Sequence, residues 1–166
     1  MLYRLINSID KKLHFSTVSV HCDIPCKIYD PITAQIAVLT MIRMIGLLEE
    51  LPEQSQRSLE QQAQFSRLIT QKELHGVKLK EEVTLIWSDY IKEPLLNEYP
   101  ELHRLVHNIM TTASKAKQHI DKSITLELLN QVNRFAEIFW LSKGQQVTLS
   151  ICPYPPAQKL IYPVLA

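Results

Sequence analysis

The stretch HCDIPCKIYDP, residues 21–31, gathers an imidazole and two thiols (His21, Cys22, Cys26) within six residues and leads straight into a long apolar run. Thiolates and imidazole so close together suit a soft or borderline transition metal better than calcium or magnesium, so zinc, copper and nickel are all open. Zinc knuckles generally use C-x2-C with a second, distant pair. Here Cys22 and Cys26 are four apart with Pro25 between them, and the one other cysteine, Cys152, stands alone. A short loop with adjacent His and Cys can also wrap a metal in a plane through backbone nitrogens, a geometry that favours nickel(II) or copper(II) over zinc. In an oxidising compartment the same two cysteines would close a local disulfide, or they are idle thiols.

Outward from this hook the pattern is helical. Asp30 is placed to cap and Pro31 to occupy the first turn of a helix, because proline lacks an N–H that would have no partner there. From Ile32 to Leu51 apolar residues cover most of the helix surface (Ile36, Val38, Leu39, Ile42, Ile45, Leu48), which predicts burial on several sides and contacts between subunits. Pro52 and the polar run after it mark a turn and a second helix reaching Trp87. YPELH, residues 99–103, opens a third, with Leu102, Leu105, Val106, Ile109 and Met110 at spacings of three and four. A fourth begins near Ser123 and lines up Leu128, Leu129, Val132, Phe135 and Phe139. The expected fold is all-α, an up-and-down four-helix bundle. After Gly144, VTLSI alternates like a strand and CPYPP excludes helix. The expected ending is an extended C-terminal tail that clasps a neighbouring subunit or packs on its own bundle.

Composition narrows the classes of function. The 166 residues suit one domain, and 46% hydrophobic content is spread too evenly for the run of about 20 apolar residues a membrane span needs. A formal charge of +1 and the lack of a basic patch interleaved with aromatics argue against nucleic acid as a partner. Asp10, Lys11 and Lys12 interrupt the first 20 residues too early for a secretory signal, so they read as a cytoplasmic leader. The resulting division is a leader at 1–20, a hook at 21–31, a bundle at 32–143 and a tail at 144–166.

HCDIPCKIYDP resembles the metal hook of the nickel superoxide dismutases, whose pattern is H-C-D-x-P-C-G-x-Y-D-P. His21, Cys22, Asp23, Pro25, Cys26, Tyr29, Asp30 and Pro31 agree with it, and Lys27 replaces the glycine. WSDY at 87–90, YPELH at 99–103 and IFW at 138–140 look like further landmarks of that family in the same order. The resemblance implies disproportionation of superoxide at a nickel ion held by His21, Cys22 and Cys26. Tyr29 and Tyr90 would stand beside the metal, gating small oxygen species, while Asp23 and Tyr29 tie the loop. It also implies a homohexamer, made as a precursor that a maturation protease cuts between Val20 and His21. That cut has a chemical purpose: an amide nitrogen binds metal weakly, whereas a free α-amine has a pKa of about 8 and binds readily. It would remove Arg4, Lys11 and Lys12 but only one acid, Asp10, turning the net charge slightly negative. The alternative is a divergent metal-binding paralogue with weak or no dismutase activity.

Two departures from the pattern bear on that alternative. Lys27 strains any backbone shape needing positive φ, although its charge would attract an anion. The family's acid and arginine that steady the axial imidazole correspond by ungapped count to Ala37 and His75, leaving Arg67 or Glu73 as candidate substitutes. His103, His107 and His119 read as surface or core residues rather than ligands, and Cys152 as a free thiol.

Overall fold

The computed structural model describes residues 27–51 and 57–165. Within them the chain is mostly helical: α1 (Ile32–Glu49), α2 (Leu59–Leu85), a π turn (Ile86–Tyr90), α3 (Glu93–Glu98), α4 (Leu102–Gln118) and α5 (Lys122–Ser142). A hairpin of β1 (Val147–Ile151) and β2 (Lys159–Pro163) follows. The helix starts are chemically marked. Asp30 Oδ1 accepts the Ile32 N–H at 2.8 Å. Ser58 and Gln61 form a reciprocal capping box, and Asp121 Oδ1 accepts from the Ser123 N–H at 2.8 Å. The sequence reading missed α3, which begins at a Pro-containing first turn, and the π turn, which has no periodic signature.

The long helices pack in a cycle: α1 against α2 and α5, and α4 against α2 and α5. Ala34, Val38, Met41 and Ile42 of α1 meet Leu79 and Val83 of α2, Ile109 and Ala113 of α4, and Leu128, Phe135 and Phe139 of α5 in one core. The apolar surface of α1, expected to serve subunit contacts, is buried largely within the chain itself; Ile36 remains 43% exposed.

Where α2 meets the end of α4, the contact is close. A side chain on Gly76 would collide with the Lys117 stem, so only glycine lets the helices approach there. One turn earlier, the fully buried Lys72 donates from Nζ to the carbonyls of Ala116 (2.7 Å), Lys117 and His119 (3.0 Å). Those carbonyls at the C-terminus of α4 have few or no intrahelical partners, and the ammonium also complements the helix dipole.

The C-terminal residues form a folded hairpin rather than an extended tail. β1 and β2 pair antiparallel, with Leu149 opposite Ile161, and the hairpin docks on the chain's own α5. Leu160 and Cys152 are buried beneath it. Asn133 of α5 donates to the Lys159 carbonyl (2.9 Å) and accepts from the Ile161 N–H (3.3 Å), while Gln35 of α1 donates to the Ile161 carbonyl (3.1 Å). Gln35 and Asn133 bond each other at 2.9 Å, so the bonded pair satisfies three backbone groups on the outer edge of β2. Alternation identified β1, but the proline-dense segment concealed that the chain turns and pairs with itself.

Candidate metal centre and its aromatic surround

The described chain enters through Lys27, exposed and at φ +58°, a left-handed conformation that glycine adopts freely and a lysine only with strain. Two residues on, the half-buried Tyr29 ring lies 5.9 Å from the Tyr90 ring, tilted by 52°. Asp30 and Pro31 then start α1. The N-terminus of α1 is thereby brought to the π turn, whose wider spacing is marked by the Ile91 N–H bonding the Ile86 carbonyl at 3.2 Å.

Tyr90 is fixed on three sides. Its ring packs 4.9 Å from Phe139, and the Lys143 ammonium sits 4.8 Å from its centroid. Its hydroxyl lies 2.8 Å from Ser142 Oγ. Ser142 has one hydroxyl proton and directs it to the Phe139 carbonyl at 2.7 Å, so Tyr90 is the donor in the Tyr90–Ser142 bond. The phenol proton points at α5, leaving the oxygen lone pairs as what Tyr90 offers to other groups.

The WSDY and YPELH segments meet beside this cluster. Trp87 Nε1–H donates to His103 Nδ1 at 3.2 Å, and the two rings meet edge to face with centroids 5.7 Å apart. From the same segment, Glu101 accepts from Arg134 of α5 at 2.8 Å, and Arg134 also bonds Glu137 at 2.8 Å. The Arg134 guanidinium holds the Glu101 carboxyl below the usual range, and hydrogen bonds to both carboxylates raise Arg134 in return. Three blocks far apart in sequence thus converge at the end of the helices where α1 and α4 begin and α2 and α5 finish.

Of the predicted site residues, Tyr29 and Tyr90 are brought together here, while His21, Cys22, Asp23 and Cys26 lie outside the described residues. Among the described residues no group of three His, Cys, Asp or Glu side chains is placed to hold a metal. The imidazole and two thiols at His21, Cys22 and Cys26 are of the ligand types that suit nickel. Ala37 is buried in the core, and His75 Nδ1 lies 2.8 Å from the carbonyl of Gln71 on its own helix. Arg67 and Glu73 are exposed and form no ion pair among the described residues. Sequence reasoning missed Ser142, Phe139 and Lys143 as supports of Tyr90. The IFW match was the available signal for Phe139.

A mostly helical protein whose aromatic cluster lies where a Cys- and His-bearing segment enters the fold has the build of a small helical metalloprotein. The chain belongs to the family of nickel-containing superoxide dismutases, whose family profile matches residues 16–143. It is 33% identical over 127 residues to the superoxide dismutase [Ni] of Streptomyces coelicolor, covering 76% of this chain and 91% of the relative. The superoxide dismutase [Ni] of Streptomyces seoulensis is 32% identical over 127 residues, covering 76% and 90%. The solved native structure of a nickel superoxide dismutase superposes with a TM-score of 0.66 at 30% identity, over 75% of this chain and 99% of that one. The hairpin lies beyond the family match.

Proposed function

We propose that the chain is the precursor of a nickel superoxide dismutase, active once residues 1–20 are removed, with His21, Cys22 and Cys26 as its metal ligands. The family match carries this reading, since it spans the hook together with the segments that converge around Tyr29 and Tyr90. In the same reading, the four long helices are an up-and-down bundle carrying the hook, the assembly is a homohexamer, the location is cytoplasmic and a dedicated protease makes the cut.

Nickel bound at the hook supplies a one-electron couple, by which one superoxide is oxidised to O2 and a second, taking up two protons, is reduced to H2O2. The chain's part is to hold and shield. Cys22 and Cys26 must be thiolates and the His21 amine unprotonated to serve as donors. In this reading Asp23 and Tyr29 would tie the loop, and Pro25 would restrict Ile24 before it. Tyr29 and Tyr90 form an aromatic wall against bulk water, and the Tyr90 oxygen accepts rather than donates while its proton is held by Ser142. Lys27 and Lys143 place positive charge around this wall, which draws in an anionic substrate.

A second reading, a divergent metal-binding paralogue with weak or no dismutase activity, draws on Ala37 and His75 at the acid and arginine positions. One preparation separates the two: protein beginning at His21, loaded with nickel. Dismutase function predicts one retained nickel per chain, a sulfur-ligated nickel(III) signal in electron paramagnetic resonance, and superoxide removal. Nickel retained without superoxide removal identifies the paralogue. Equal retention after Cys22→Ser and Cys26→Ser discards the hook as the site.

A further inference from the structure

The hairpin has two edges of different character. The bonds from Val164 N–H to the Gln146 carbonyl (2.7 Å) and from Cys152 N–H to the Gln158 carbonyl (2.9 Å) set the phase of the ladder. In an antiparallel pair of this register, residues 148 and 150 bond across to 162 and 160, while Val147, Leu149 and Ile151 turn their N–H and C=O groups outward. Of the equivalent outward groups of β2, the Lys159 and Ile161 carbonyls and the Ile161 N–H are taken by Asn133 and Gln35. Those of β1 have no partner among the described residues.

β1 also lacks the usual protections of a free edge. VTLSI contains no charge and no proline, and Leu149 and Ile151 are 54% and 63% exposed. Their side chains share one face of the strand and line an open groove of about 440 Å³ against Leu126 and Leu129 of α5. A two-stranded sheet is marginal by itself and gains independent stability from added strands.

We propose that the outer edge of β1 is an interface that pairs with β1 of a second copy of this chain. The strand is complementary to itself. About a two-fold axis at Leu149, antiparallel pairing sets Leu149 against Leu149, and Val147 of one copy against Ile151 of the other. The outward backbone groups then satisfy each other. Because β1 is neutral, two like strands meet without charge repulsion. A perpendicular axis keeps the Leu149 and Ile151 side chains of both copies on one face. The product is a four-stranded sheet, β2–β1–β1–β2, whose apolar face covers the grooves of both α5 helices. This contact is built from residues beyond the family match, and it links one assembly of the helical part to another.

Two measurements on the full chain test the pairing. Leu149→Pro removes an N–H that the hairpin ladder does not use, so it blocks edge pairing while leaving the bonds between β1 and β2. Sedimentation equilibrium is expected to give a lower mass for this variant, with Cys152 still as slow to react with a thiol reagent as in the parent. An unchanged mass overturns the proposal. If Cys152 becomes reactive, showing that the hairpin has been lost, Leu149→Lys replaces it and is read the same way. In the unaltered chain, hydrogen exchange at the Leu149 and Ile151 amides should slow as protein concentration rises. Fast exchange at every concentration, or slow exchange independent of concentration, overturns the proposal; the latter means that another segment of the same chain covers the edge.

Discussion

Tyr90 donates its hydroxyl proton to Ser142 Oγ across 2.8 Å, joining the π turn to the last turn of α5. The direction follows from Ser142 spending its own proton on the Phe139 carbonyl. Ser142→Ala leaves the Tyr90 hydroxyl without its acceptor and should cost about 1 kcal/mol in urea unfolding. Ser142→Thr keeps the hydroxyl and should recover most of that. The orienting role is checked by superoxide removal in the nickel-loaded, processed variants, where Thr should exceed Ala.

Lys27 holds φ +58°, and a side chain in that region carries strain of about 1 kcal/mol. Lys27→Gly should therefore raise stability by up to that amount, partly offset by the greater backbone freedom of glycine when unfolded. It also removes a positive charge near the hook. Superoxide removal should slow at low ionic strength and become indistinguishable from the parent at high salt, where screening cancels steering. Thermal melting and a salt series check the two effects separately.

Arg134 holds Glu101, and Ser123 holds Asp121, below the ordinary carboxylate range. A carboxyl whose pKa is depressed by folding contributes stability that is complete above its unfolded value, near pH 4, and is lost as pH falls through the lower folded value. Melting temperature should accordingly drop on acidification below about pH 4. Glu101→Gln should reduce that slope while leaving the Asp121 part, as measured by melting curves from pH 7 to 3.

Lys72 is buried, and desolvation pulls its pKa down, yet three carbonyl oxygens accept from its ammonium. Lys72→Met fills similar space but strands those acceptors at the end of α4. The expected loss is about 1–3 kcal/mol in urea unfolding, with faster amide exchange over the last turn of α4.

The proposed hook rests on local donor chemistry alone: His21, Cys22 and Cys26 are close neighbours in the chain, and their residue types restrict the metal before any fold is known. The four long helices were readable for a similar reason, since the i, i+3, i+4 spacing of Leu128, Val132, Phe135 and Phe139 directly reflects a buried helix face. Only the tertiary structure decided what surrounds Tyr90, because its partners at 29, 139, 142 and 143 come from distant segments and the π turn that aims it leaves no periodic trace. It likewise decided that the C-terminal residues fold back as a hairpin with one satisfied edge. Which edge of the hairpin is satisfied is a long-range choice, made here by Asn133 and Gln35 reaching β2 from two helices, and no short window of sequence contains both sides of such a bond.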